Sequence, residues 1–326
     1  KLHIHFQGGG ACWDEKSYNA EIVGCFHDAM PNEQVGIFDL QNTQNPLKDY
    51  TLISVQYCSG DMHGGNATQD WGEVVHQVGY YNADAVITYA LSQFPTLQRL
   101  VISGSSAGSL GVQFWSGKLI DLFSDRKADV SVIADSFMGV LWPPSDLVPS
   151  EVHLMRLYNM CNAAVLAPAE KAACDKGDFT LQENFVDSMQ SHRDVRFSAI
   201  NSKTDFIQIQ FEKAYMENKM TQGEFYKGVG LLSQQYVKEP NFYNFLVQAH
   251  LQHTYLPMKH LYTASPEGAK AKSGTPLLID WLTDFVDPSA QADRSVCSGP
   301  AKELNKDTPV GPKETDYCAS GLVGVE

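Results

Sequence analysis

Hydrophobic residues fall first in short runs along this chain and only afterwards in longer periodic stretches. "LHIHF" at 2–6, "TLISVQY" at 51–57, "RLVIS" at 99–103 and "VSVIADS" at 130–136 have the length and apolar content of strands. Each gives way to a glycine-rich or polar turn: "QGGGACW", "CSGDMHGGN", "GSSAGS" and "FMGVLWPP". Between the second and third runs, "WGEVVHQVGYYNADAVITYALSQF" carries apolar residues at three- and four-residue intervals, which predicts one or two helices. Strands alternating with helices predict an α/β fold with a mostly parallel central sheet flanked by helices. After 150 the pattern loosens into helical segments around 151–193 and 211–238, followed by a strand-like "FYNFLVQAH". The expected organisation is one domain over 1–326, with a helical insertion or cap at 150–240 and a C-terminal surface tail at 288–326.

In such a sheet, functional groups gather at the carboxyl ends of the strands. Gly104-Ser105-Ser106-Ala107-Gly108 fits GxSxG, the strand-to-helix elbow that lifts a nucleophilic serine into the open in α/β-hydrolase-like folds. The pattern is short and recurs by chance. Here strand-like "RLVIS" precedes it and helix-competent "AGSLGVQFWSGKLI" follows. Acyl transfer at Ser106 needs backbone N–H groups aimed at the developing oxyanion; Ala107, next after the serine, and Gly9 and Gly10 of "FQGGGACW" are the candidates.

A serine also needs a histidine to take its proton and a carboxylate to orient that histidine. In these folds the acid and then the histidine follow the serine. Asp205, in "VRFSAINSKTDFIQIQF", comes just after a strand-like run; Asp135 closes another and is its rival. His250, His253 and His260 share "VQAHLQHTYLPMKHLY", and spacing does not choose among them. Ser103, Ser105 and Ser109 read as turn or capping hydroxyls. Trp13 and Trp142 follow predicted strand ends and are expected to line a substrate pocket. His3 and His5 alternate on one strand face, and Asp61 and His63 share a glycine loop. Neither pair brings a third ligand, so packing and loop hydrogen bonds are expected there, with no metal and no cofactor.

Charge narrows the partners. The chain has 38 acidic and 24 basic residues and a formal net charge of −14, with no Lys and Arg cluster, which speaks against a nucleic-acid backbone. No apolar stretch approaches the roughly 18 residues that span a bilayer. Seven cysteines form no CxxC pair. Cys161 with Cys174, and Cys297 with Cys318, bracket short local segments that disulfides could close, and Cys12 with Cys25 is the next pair, leaving Cys58 single. Such bridges predict secretion. The sequence opens directly on a strand, so a leader and the natural N-terminus are expected to precede it.

Together these blocks resemble the pectin acetylesterase and Notum family of serine carboxylesterases, in its bacterial and algal-like branch. "FQGGGACW" resembles the family's oxyanion loop, "QYCSGDMHGGN" its following segment, and "GSSAGS" its elbow. "NSKTDFIQIQF" is similar to the acid motif, with Asp205 at the acid's place, and "QHTYLPMKHLY" to the histidine motif, with His253 at the base's place. Ala11 stands where the plant and animal branches carry Trp. The resemblance implies a secreted esterase that removes an acyl group, acetyl foremost, from a polysaccharide such as pectin. A lipid or protein O-deacylase is the alternative within the class, and a non-catalytic binding module with the same fold the alternative outside it.

Overall fold

A computed structural model describes residues 1–20, 23–139, 150–215, 220–248, 251–268, 270 and 274–297. In chain order the elements begin with β1 (Leu2–Phe6), α1 (Glu15–Tyr18), β2 (Thr51–Val55), β3 (Ala67–Asp70) and β4 (Val74–Gln77). Next come α2 (Gly79–Gln93), β5 (Arg99–Ser105), α3 (Ala107–Phe123) and β6 (Asp129–Asp135). The second half holds α4 (Ser150–Leu157), α5 (Pro168–Lys176), α6 (Leu181–Ser191), β7 (Arg196–Ser202) and α7 (Phe206–Tyr215). It closes with α8 (Gln222–Tyr236), β8 (Phe242–Val247), α9 (Leu278–Val286) and β9 (Ser295–Cys297).

Seven strands form one sheet in the order β2-β1-β5-β6-β7-β8-β9, and every adjacent pair is parallel. Helices cover both faces, which is why the central strands read as continuous apolar runs and not as alternating ones. On one face Leu110, Phe114 and Leu119 of α3 pack with Leu2, Ile4 and Phe6 of β1 in a core shared with α2 and α6. On the other, Trp281 and Phe285 of α9 join Val101, Ile133, Ile200 and Phe245. The two faces therefore draw on alternate residues of the same strands.

The chain winds from β1 outward to β2 and then returns to β5 on β1's other side. That reversal opens a crevice between the carboxyl ends of β1 and β5, the place where such sheets bind ligands. The glycine-rich loop leaves β1 there, and the elbow leaves β5. Between β2 and β5 the structure departs from the expected helices: residues 67–77 form the antiparallel hairpin β3–β4, and only α2 is helical. Gly72 takes a left-handed φ of +84° at the turn. Val74 to Gln77 then alternate exposed and buried, a strand period that the longer helical period of the stretch masked. Within the stretch expected as a surface tail, β9 adds an edge strand to the sheet beside β8. Among the described residues no helix is long and apolar enough to cross a membrane.

Candidate active site

The elbow is built by close approach. Ser106 sits at φ 57° and ψ −124° between the last residue of β5 and the first of α3, a conformation that costs strain in a residue with a side chain. A Cβ on Gly104 would come within 2.1 Å of the Gly108 carbonyl oxygen, and one on Gly108 within 1.9 Å of the Phe6 carbonyl oxygen. Only glycine fits at either place, which is the physical content of the motif. The amino end of α3 follows at once, and its dipole favours negative charge beside Ser106.

Two groups from distant parts of the chain line up on Ser106. His253 Nε2 lies 2.7 Å from Ser106 Oγ, and His253 Nδ1 lies 2.8 and 3.0 Å from the two carboxylate oxygens of Asp205. A carboxylate only accepts, so Nδ1–H donates to Asp205 and Nε2 is left to accept from the serine hydroxyl. Asp205 is fully buried, and the His253 side chain is 17% exposed. The Gln208 backbone N–H and Nε2 also donate to Asp205, at 3.0 and 2.8 Å, and Gln208 Nε2 reaches Asn201 Oδ1 at 2.9 Å. The first turn of α7 thus holds the carboxylate still. His250 lies outside the described residues, and His260 falls in a short 3₁₀ turn beyond Met258.

Asp135 does a different job from the one its position at the end of β6 suggests. It too is fully buried, but its carboxylate accepts from Ser105 Oγ (2.9 Å), Ser136 Oγ (2.9 Å), Tyr255 N (2.9 Å) and Leu256 N (2.8 Å). Its own carbonyl accepts from Ser106 N at 2.9 Å, and Ser136 Oγ accepts from Thr254 N at 2.8 Å. One residue therefore ties the elbow to the loop that carries His253. Burial pushes its pKa up, and the backbone N–H groups of Tyr255 and Leu256 counter part of that rise.

The glycine loop faces this line of groups. A Cβ on Gly8 would approach Ser106 Cβ to 2.9 Å. Gly10 and Ala107 border one hollow with Ser106 and His253, and Gly9 borders a second one with the same pair. The loop's carbonyls are committed to the scaffold: Gly9 O accepts from Phe26 N (2.7 Å) and Gly10 O from Tyr57 Oη (2.7 Å). Behind the loop Cys12 and Cys25 form a disulfide, as do Cys161 and Cys174. Cys297 is disulfide-bonded; Cys318 lies outside the described residues. Cys58 is a free, half-buried thiol whose pKa is raised by burial and then by Asp61 and Asp28.

The hollow beside Ala107 is apolar, lined by Trp13, Met62, Leu110, Phe137, Leu154 and Phe211 among others. Trp13 stands in it edge-on to Tyr215 and Phe211; Trp142 lies outside the described residues. Ala11 borders the same space. Sequence reasoning missed the α7 wall, where Ile207, Phe211 and Tyr215 recur every four residues. That spacing was visible but is the same for a helix facing a core and one facing a cavity. Elsewhere, His3 Nε2 and His5 Nδ1 share Ser103 Oγ at 2.6 and 2.8 Å. Asp61 accepts from Ser59 Oγ (2.7 Å) and Gly79 N (2.6 Å), which closes the loop around itself.

Residues 1–223 match the family described as Pectinacetylesterase, a stretch that includes Ser106 and Asp205 and stops short of His253. No curated protein matches the chain. Two crystal forms of the Wnt deacylase Notum from Drosophila are similar in structure. One is 15% identical with a TM-score of 0.55, covering 80% of this chain and 79% of that one. The other is 14% identical with a TM-score of 0.56, covering 87% and 83%. At that identity the likeness is one of fold, the α/β-hydrolase-like architecture that the strand and turn pattern predicts.

Proposed function

The chain belongs to the pectinacetylesterase family, and from that premise we propose that it is a serine carboxylesterase working through Ser106, His253 and Asp205. The observation that carries the reading is the unbroken line Asp205–His253–Ser106, with both ring nitrogens of His253 engaged at 2.7 to 2.8 Å. Ser106 Oγ attacks the ester carbonyl carbon while its proton passes to His253 Nε2. The carbonyl oxygen, now an anion, is held by the N–H groups of Gly9, Gly10 and Ala107. As the tetrahedral species collapses, His253 gives its proton to the leaving alcohol oxygen and an acyl-Ser106 remains. Water then repeats the sequence, losing a proton to His253, and frees the acid. Asp205 keeps Nδ1 protonated throughout and stabilises the imidazolium. No cofactor enters this scheme.

For the substrate, the family supports an acetyl ester of a polysaccharide such as pectin, acted on outside the cell, and the disulfides Cys12–Cys25 and Cys161–Cys174 suit an oxidising compartment. A second reading, an O-deacylase with a longer acyl group, is favoured by the apolar hollow. Its volume of about 80 Å³ is several times the roughly 10–15 Å³ that one water needs, and apolar walls suit a hydrocarbon tail. A fluorophosphonate should label the native chain at Ser106 and leave Ser106→Ala unlabelled. Absence of labelling in the native chain, with no turnover of p-nitrophenyl acetate, would sink the proposal and leave a binding module. A p-nitrophenyl ester series from acetate to octanoate then separates the two acyl readings.

A further inference from the structure

Among the described residues two hollows open onto Ser106, and the one beside Ala107 suits the acyl group. The second is a groove bordered by Gly8, Gly9 and Ser105 as well as Ser106. It shares Gly10, Ile207, Phe211, Ser106 and His253 with the first, and it continues along Thr254, Pro257 and Met258 of the histidine loop. The leaving oxygen must lie within hydrogen-bond reach of His253 Nε2 to receive its proton. A groove walled by the residues that follow His253 is therefore the place for the alcohol half of the ester.

The chemistry of its walls is uneven for a water-facing surface. Phe26 is 55% exposed, Met30 50%, Met258 40% and Ile207 36%, and all four line this groove. Single exposed apolar side chains are ordinary, whereas several around one reactive serine mark a binding surface. Among the described lining residues the one carboxylate is that of Glu33, and no Lys or Arg faces it there. His5, which also borders the groove, is kept neutral by burial, with the nearby His3 and His63 adding to the effect. A polyuronate bearing a carboxylate on each sugar would meet Glu33 and a chain of net charge −14.

We infer that this groove is an alcohol subsite for an uncharged, apolar alcohol, an alkyl chain and not a polyuronate. The inference rests on the serine esterase reading and departs from the family's pectin polysaccharide at the alcohol half of the ester. Wild-type protein is assayed on acetates of straight-chain alcohols from ethyl to hexyl, which keep the acyl group and leaving-group acidity constant, beside acetylated polygalacturonate. kcat/KM should rise with each methylene that reaches the groove, up to about fourfold per step, and hexyl acetate should outrun the polyuronate. In Met30→Glu and Met258→Glu the rise along the series should flatten, while fluorophosphonate labelling of Ser106 reports that the site is still assembled. A flat series in the wild type, or faster turnover of acetylated polygalacturonate, overturns the subsite. Hydrolysis that survives Ser106→Ala would instead overturn the esterase mechanism itself, so the two failures are distinguishable.

Discussion

Asp135 closes β6 and Asp205 lies three residues past the end of its parallel neighbour β7, and both are fully buried within reach of the same loop. At Asp205 the partners are the side chains of His253 and Gln208 and one backbone N–H of α7. At Asp135 they are two serine hydroxyls and the N–H groups of Tyr255 and Leu256. The same residue type at or just past neighbouring strand ends thus holds a reactive ring in one case and a stretch of backbone in the other. What assigns the role is which donor the next loop presents. In the proposed mechanism Asp205 fixes the tautomer of His253, and Asp135 fixes where the His253 loop sits relative to the elbow.

The largest effect should come from the serines: Ser106 meets Asp205 through His253, and Ser105 meets Asp135 directly. Ser106→Ala should lower kcat by about 10⁴- to 10⁶-fold. Ser105→Ala removes only a donor to Asp135 and should cost about tenfold, on the scale of one neutral hydrogen bond. Equal losses in the two variants would break the elbow assignment. Next, Asp205→Asn should reduce kcat by about 10³- to 10⁴-fold through the wrong histidine tautomer, with a melting temperature close to wild type. Asp135→Asn should show the reverse balance. Turning one acceptor into a donor leaves buried N–H and O–H groups unpaired, at about 1–3 kcal/mol each, so scanning calorimetry should register a drop of several degrees while kcat falls less than in Asp205→Asn. If the melting temperatures changed places, the two roles would have to be exchanged.

A smaller change reaches the glycine loop that borders Ser106 and His253. Cys12→Ser with Cys25→Ser opens a 13-residue separation, worth about 3 kcal/mol in the chain-entropy picture. Activity and chemical denaturation midpoint should both decline, the loss of kcat marking that Gly9 and Gly10 need the bridge to stay in place. Acid gives the finest distinction. Burial lowers His63 to about 4 and His3 to about 3. Below pH 6.5 the unfolded chain therefore binds protons that the folded chain refuses, and stability is lost as pH falls from about 6.5 toward 4. Asp135 works in the opposite sense: its raised pKa lets the folded chain keep a proton above 3.8, so its contribution declines as pH rises through that window. In Asp135→Asn this opposing contribution is gone, and melting temperature against pH should be steeper on the acid side than in wild type. A shallower slope would contradict the placement of Asp135 among buried donors.

The strands of the sheet, the tight turn at Ser106 and the glycine loop were legible in the sequence, because apolar runs and the glycines that end them are local patterns. Apolar runs that end in glycine specify strands and tight turns locally, and Gly104 and Gly108 leave only a close approach as their explanation. The sequence also named Asp205 and His253 through motif resemblance, although spacing alone left Asp135, His250 and His260 open. Tertiary structure decided the rest. Only the pairing of β6 with β7 and the return of the 253–256 loop across their ends set Asp135 on Tyr255 N, 120 residues away. Only the packing of α7 over the crevice turned the stripe Ile207, Phe211, Tyr215 from an ordinary buried face into a cavity wall. Hydrogen bonds and cavities between remote segments depend on three-dimensional closure, and a one-dimensional pattern of apolar and polar residues carries no record of which loop closes on which.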